Sequence, residues 1–385
     1  MIYMDNAATT KMYPEALKAM LPYLEEGYGN ASSIYSLGRD SKKALEDSRA
    51  TVADCLGADP NEIFFTSGGS EADNWAIRGT AYANSKKGKH IITSNIEHHA
   101  VLHTCEALAK EGFEISYIPV DSEGKIKLDE LKAAIRDDTI LITVMFANNE
   151  IGTIEPIAEI AKIANEHGIP FHTDAVQAVS QIPINVKNMG IDMLSLSAHK
   201  FHGPKGVGAL YIRKGMRPQS IILGGAQESA KRAGTENIAG IVGAATALKV
   251  ACQDIEGKSK KISALRDHLI QGIEKNIDYC RLNGHRTDRL PGNCNFSFEF
   301  IEGESLLLML DMKGIAASSG SACTSGSLDP SHVLLAIGLK HEIAHGSLRL
   351  SLSDFNTEEE VDKVIEELVP IVARLREMSP LYERR

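Results

Sequence analysis

The chain has 385 residues, enough for two domains, and its 43% hydrophobic and 24% charged residues give an ordinary globular balance with material for a large core. A formal net charge of −10 argues against a general binder of phosphate backbones, so no direct nucleic-acid partner is expected. The first five residues hold no basic segment followed by an apolar one, and the longest apolar run, Ile140 to Ala147, falls well short of a bilayer, so neither a secretory signal nor a membrane partner is expected.

In chain order, short apolar runs rich in β-branched residues read as strands at 62–66, 90–94, 114–119, 140–147, 170–174, 192–197 and 208–213. Helical patterns lie between them, at 71–85 and at 156–167, where Ile157, Ile160, Ala161 and Ala164 share one face. This alternation predicts an α/β unit with a mainly parallel sheet. From about Asn237 long helical patterns dominate, at 238–252, 258–276 and 357–378, flanking strand candidates at 295–300 and 348–353. That texture predicts a smaller α+β domain, with the boundary in a long helix near 237–255. The six cysteines, Cys55, Cys105, Cys252, Cys280, Cys294 and Cys323, form no CxxC pair. Neither a zinc site nor a redox dithiol is indicated, no metal is expected, and scattered thiols suggest the reducing cytoplasm.

Several short stretches carry chemistry. In Thr66-Ser67-Gly68-Gly69-Ser70-Glu71 a strand meets a helix through a glycine turn, where free N–H groups suit a phosphate, although a plain turn capped by Ser70 reads equally simply. Glu97-His98-His99 follows a strand, and an imidazole there could stack on a planar group or move protons, or merely begin a surface helix. Asp174, in Phe171-His172-Thr173-Asp174, ends an apolar strand and could pair with a protonated ring nitrogen or cap a helix. Lys200, in Ser197-Ala198-His199-Lys200, sits just past a strand end, where open α/β sheets bind ligands, and a lysine amine of lowered pKa attacks aldehydes. The small-residue run 318–327 holds Cys323, which reads as an accessible thiol rather than a structural one. Arg349, on the alternating stretch 347–351, suits a carboxylate or an edge salt bridge.

Together with Asn6-Ala7-Ala8-Thr9-Thr10, Asn148-Asn149-Glu150-Ile151-Gly152 and Arg232-Ala233-Gly234-Thr235-Glu236-Asn237, these motifs closely resemble, over effectively the whole chain, the cysteine desulfurases of the NifS/IscS type in the class V aminotransferase group of pyridoxal-phosphate (PLP) enzymes. The resemblance implies the PLP-dependent transferase fold (fold type I): an N-terminal segment 1–15 joining the small domain, a large PLP-binding domain 16–250, and a small domain 251–385 carrying the nucleophile. It implies that Lys200 is the Schiff-base lysine, that Asp174 and Gln177 serve the pyridine nitrogen and the phenolic oxygen, and that His98 stacks on the ring. Gly69, Ser70, Ser197 and His199 resemble the phosphate cup, completed by Thr235 from the second subunit of a homodimer. Asn149 and Arg349 resemble the groups near the substrate carboxylate. Cys323 resembles the nucleophile that takes sulfur from L-cysteine as a persulfide, leaves alanine, and hands the sulfur to an iron–sulfur scaffold or another acceptor. The alternatives are a selenocysteine lyase or a transaminase of the same fold; the latter needs no thiol at Cys323. Ala31, Ala226, Ser229 and Ala230 depart from the family pattern, the last two where Arg and Gly are usual.

Overall fold

The computed structural model describes residues 1–319 and 330–382; Cys323 lies outside the described residues. All seven strands expected from the first half form one sheet, in the order Ile63–Thr66, Gly208–Ile212, Met193–Ser197, Phe171–Asp174, Thr139–Thr143, His90–Ser94, Glu114–Ile118. Only Gly208–Ile212 runs against its neighbours, at both of its edges, and the remaining pairings between adjacent strands are parallel. The fold class is therefore the α/β type expected, with a mainly parallel sheet. The strand expected over 140–147 ends as a regular element at Thr143. Its backbone still pairs outward, because the N–H groups of Val144 and Phe146 donate to the carbonyls of His172 and Asp174.

Both faces of the sheet are covered. One core gathers Phe65, Ile92, Ile142, Phe171, Leu194 and Tyr211 against the helices Ser36–Leu56, Ile157–Glu166 and Ile238–Cys252. The other packs Phe64, Ile91, Leu141, Met193 and Leu210 against Trp75, Ala76, Val101 and Leu108 of Gly69–Asn84 and His99–Lys110. This two-sided burial is why the strands read as nearly continuous apolar runs.

A separate core lies around a three-stranded antiparallel sheet, ordered Ser347–Ser351, Asn293–Phe298, Cys280–Leu282. Its helices, Ile255–Asn276 and Glu358–Met378, supply Leu269, Ile273, Val364 and Leu368. Met4 of the N-terminal segment is buried in this same core, and Ile2–Tyr3 pairs in parallel with Ile315–Ala316. The long helical region expected near 237–255 breaks between Cys252 and Ile255, where the two helices meet at 75°. Asp254 caps the second helix, its carboxylate accepting from Gly257 N–H at 3.0 Å. No single helix among the described residues is long and apolar enough to cross a membrane.

Candidate functional site

The carboxyl ends of the central strands and the N-terminus of Gly69–Asn84 open onto one cavity of about 310 Å³. It is lined by Gly69, Ser70, His98, Asn149, Asp174, Gln177, Ser197, His199, Lys200 and Arg349, so the fold gathers ten of the residues singled out in the sequence. Thr235 lies outside this cavity and is exposed, and Cys323 lies outside the described residues.

Lys200 follows the strand Met193–Ser197 on a single short turn, Ala198–Lys200. Its Nζ donates to the carbonyls of Ala7 at 2.5 Å and Ala8 at 2.9 Å. Gln177 Nε2 donates to the same Ala7 carbonyl at 2.9 Å, so the N-terminal segment closes one side of the cavity. Asp174 is 6% exposed and accepts from Val176 N–H at 2.9 Å. Burial pushes its carboxyl up to about 6, against the opposing pull of the Val176 N–H and the Lys200 charge. Asp73, one turn into Gly69–Asn84, is buried close enough to Asp174 that burial and the neighbouring carboxylate together raise it well above the usual range.

His98 caps His99–Lys110, its Nδ1 accepting from Ala100 N–H at 3.1 Å, which leaves Nδ1 without a proton. Burial, with Lys200 and His99 beside it, holds this imidazole down to about 4, so it is neutral at physiological pH. His199 is likewise held at about 4 by burial and by the charges of Lys200 and Lys205, and its Nδ1 lies 3.1 Å from Thr9 Oγ1.

At the phosphate end, bare backbone is a steric requirement. A Cβ on Gly69 would stand 2.6 Å from Val176 Cγ2, and one on Gly208 would stand 2.7 Å from Gly68 Cα. The turn into the helix thus fits only between glycines, with Ser70 of its first turn and Ser197 of the neighbouring strand lining the cavity beside it. The acidic residue of that first turn, Glu71, is neutralised by Arg232, whose Nε and Nη2 donate at 2.7 and 3.0 Å. An anion meets the positive end of the helix dipole there.

At the opposite side, the buried Arg349 donates to the Asn149 carbonyl at 3.0 Å and to Asp5 at 3.1 Å, while its Nε stays buried without a hydrogen-bond partner. The segment holding Cys323 is tied to this wall on both flanks. Ser318 and Arg349 exchange backbone hydrogen bonds at 3.1 and 2.6 Å, and Ser331 Oγ donates to the Glu150 carboxylate. Burial raises Glu150 to about 7, opposed by the Ser331 hydrogen bond and the Arg349 charge.

These groups fit PLP. A helix N-terminus with two serines suits its phosphate, the buried Asp174 its ring nitrogen, Gln177 its phenolic oxygen, and Lys200 its aldehyde. The structure adds two residues that the sequence did not single out. Asp73 lines the same cavity as Asp174, and its spacing of four from Gly69 on one helix face is the signal that would have found it. Asp5 pairs with Arg349 across nearly the full chain, and no local pattern announces it.

The aminotransferase class-V family model matches residues 2–364. A cysteine desulfurase IscS from Methanosarcina thermophila is 60% identical over 99% of this chain and 94% of its own length. One from Clostridium botulinum is 59% identical over 99% and 97%. Among solved structures, a NifS-like protein superposes with a TM-score of 0.92 at 39% identity, covering 97% of this chain and all of its own. A structure titled as SspA in complex with cysteine gives 0.82 at 37% identity, over 93% of this chain. With its fold, its cavity and its relatives in agreement, the chain belongs to the class-V aminotransferase family of PLP enzymes, and within it to the cysteine desulfurases of the NifS/IscS type.

Proposed function

We propose that the chain removes sulfur from L-cysteine, giving L-alanine and a persulfide on Cys323. The observation that carries this reading is one cavity holding Lys200, Asp174, His98 and Arg349, whose wall is bonded to both flanks of the segment containing Cys323. When bound, PLP supplies an electron sink for the pair left on the substrate Cα. Arg349 and Asn149 receive the substrate carboxylate, the Arg349 Nε being a buried donor still lacking an acceptor. Lys200 holds the cofactor and then takes and returns the Cα proton. Asp174 and Gln177 orient the ring edge, and neutral His98 covers its face. Gly69, Ser70, Ser197 and His199 hold the phosphate. The Cys323 thiolate attacks the cysteine sulfur: the S–S bond forms, the Cβ–S bond breaks with its electrons going to Cβ, and protonation of carbon yields alanine. A named relative with bound cysteine supports the substrate.

We assign 1–15, 16–250 and 251–385 as the joining segment, the PLP-binding domain and the nucleophile-bearing domain, supported by the separate cores and by Met4. A homodimer is supported by exposed large apolar side chains, among them Leu24, Tyr28, Ile34 and Leu223, and by Thr235 lying outside its own cavity, free to complete a partner's phosphate cup. Scattered thiols support the cytoplasm, and the persulfide is passed to an acceptor for iron–sulfur cluster or other sulfur-cofactor assembly. Incubating the PLP-loaded protein with L-cysteine and a reductant is expected to give sulfide and alanine in equal amounts. Alanine without sulfide, or neither product, overturns the reading.

A further inference from the structure

Asp73 is a buried carboxyl that the desulfuration chemistry leaves unused. It stands one turn into Gly69–Asn84, is 1% exposed, and lines the cofactor cavity together with Asp174. The strands fix its place. Thr173 alone separates His172 from Asp174 along Phe171–Asp174, so those two side chains leave the sheet on the same face. Asp73 Oδ1 lies 3.7 Å from His172 Nε2 on that face. Ser195, opposite Asp174 in the next strand, places its Oγ 2.9 Å from the same nitrogen. Asp73 therefore meets the cavity beside Asp174, from the helix rather than from the strand.

No cation answers this carboxyl. Among the described residues its one ion-pair contact is His172, and its Oδ1 is buried without a hydrogen-bond partner. His172 is no counter-charge. Its Nδ1 lies 2.8 Å from Thr143 Oγ1, its Nε2 is taken by Ser195, and burial holds the imidazole at about 3, neutral at physiological pH. The other titratable groups facing Asp73 and Asp174 are Glu97 and His98, after the strand His90–Ser94, and Lys200, after Met193–Ser197. Glu97 is a further carboxyl, His98 is neutral, and the pull of Lys200 acts on Asp174. A carboxylate buried without a counter-charge costs far more than the protonated acid. Burial, with Asp174 beside it, accordingly raises Asp73 well above the usual range, against a hydrogen bond from Ser195. The neutral acid is also a donor, where the carboxylate would only accept.

We propose that Asp73 is a further positioning residue of the cofactor site: a neutral carboxylic acid that leaves the single negative charge at the ring-nitrogen end on Asp174 and serves that charge as a hydrogen-bond donor. A ring nitrogen carrying a proton calls for one carboxylate, and a second would be left buried and unpaired. Asp73 thus acts through Asp174, holding its carboxylate for the ring edge. The inference rests on PLP as the cofactor of this family and on the pairing of Asp174 with its ring nitrogen, not on where the sulfur goes, so each readout is taken without L-cysteine.

The test compares Asp73→Asn, which keeps shape, neutrality and a donor, with Asp73→Leu, which keeps only the bulk. PLP is titrated into each apoprotein, and the gain in melting temperature on adding it is followed against pH. Asp73→Asn is expected to bind PLP as the wild type does, with its pH profile unmoved. Asp73→Leu is expected to bind about tenfold or more weakly, through the loss of one hydrogen bond to a charged group. A profile displaced to lower pH in Asp73→Asn means that an ionised Asp73 had been holding Asp174 up, and it overturns the proposal. Wild-type affinity in Asp73→Leu overturns it as well. If either variant fails to fold, the wild-type holoenzyme decides. With carbon-13 in the aspartate carboxyls, its infrared spectrum at about pH 8, where Asp174 is ionised, is expected to show the band of a protonated aspartic acid, and the absence of that band overturns the proposal. A failure of the Asp174 pairing itself is told apart, because the wild type then gains the same stability from PLP at every pH.

Discussion

The floor of the cavity and the 224–237 segment beside its phosphate end are held by different forces. The floor stands on Met193–Ser197, bonded along both edges, to Phe171–Asp174 and to Gly208–Ile212. Lys200 and Asp174 inherit their places from that ladder. The 224–237 segment has no ladder. It is held by charge: Arg49 donates to both oxygens of the buried Glu228 at 2.7 and 2.8 Å, Phe65 N–H adds a third bond at 2.8 Å, and Arg232 pairs with Glu71. Its backbone is also strained. Glu228, Ser229 and Ala230 have φ of 46°, 57° and 60°, the left-handed region that side chains disfavour. Backbone pairing tolerates change in single side chains, whereas a segment held by two ion pairs against its own backbone preference does not.

The largest expected effect comes from breaking the buried pair. Glu228→Gln takes the buried counter-charge from the Arg49 guanidinium, itself 7% exposed, and leaves it only the exposed Glu46 carboxylate, 3.5 Å from Nε. Chemical denaturation is expected to show a loss of about 3–5 kcal/mol, with faster release of PLP while Lys200 stays the labelled lysine after borohydride reduction. An unchanged denaturation midpoint would make the two regions equivalent. Next is Thr235→Ala: if Thr235 completes a partner's phosphate cup as proposed, the loss of one hydrogen bond to a charged group is expected to weaken PLP binding by about 1.5–3 kcal/mol, read by titrating cofactor into apoprotein, with the association state followed by light scattering. Unchanged retention removes Thr235 from the cup.

The floor has its own signature, in pH. Asp174 is raised to about 6, so in the apoprotein stability is lost as pH rises from the ordinary carboxylate range, about 4, to that value, and the cost is then constant. A protonated ring nitrogen removes the cost by pairing with the carboxylate. The gain in melting temperature on adding PLP is therefore expected to grow as pH rises from roughly 4 to 6 and to level off above, and cofactor affinity to fall by up to about tenfold per pH unit on the acid side. A gain independent of pH, or Asp174→Asn showing the same rise, contradicts the pairing. The smallest effect sharpens the contrast from the other side. Ala230→Gly relieves a left-handed alanine and is expected to stabilise the protein by about 1 kcal/mol, whereas a destabilised variant would mean that the Ala230 methyl is needed for packing.

The same division explains what was legible in the sequence. The strands and the motifs at their ends are local, and burial on both faces writes them as apolar runs, so the sheet could be read directly; of the ten lining residues, Asn149 and Gln177 came only through the family resemblance. Pairings made by side chains from distant segments leave no periodic trace: Arg349 with Asp5 and Arg49 with Glu228 both needed the fold. The departure of Ser229 and Ala230 from the family pattern was visible, but only the backbone angles reveal its cost.

The central claim, that sulfur passes from cysteine to Cys323, is tested most directly by mass mapping of the PLP-loaded protein after brief exposure to L-cysteine without reductant. One added sulfur atom on the peptide carrying Cys323, with alanine formed in step, is the expected result, and Cys323→Ala should keep the cofactor, gain no sulfur and release little sulfide. Added sulfur on Cys55, Cys105, Cys252, Cys280 or Cys294, with Cys323→Ala retaining near-normal turnover, would contradict the account.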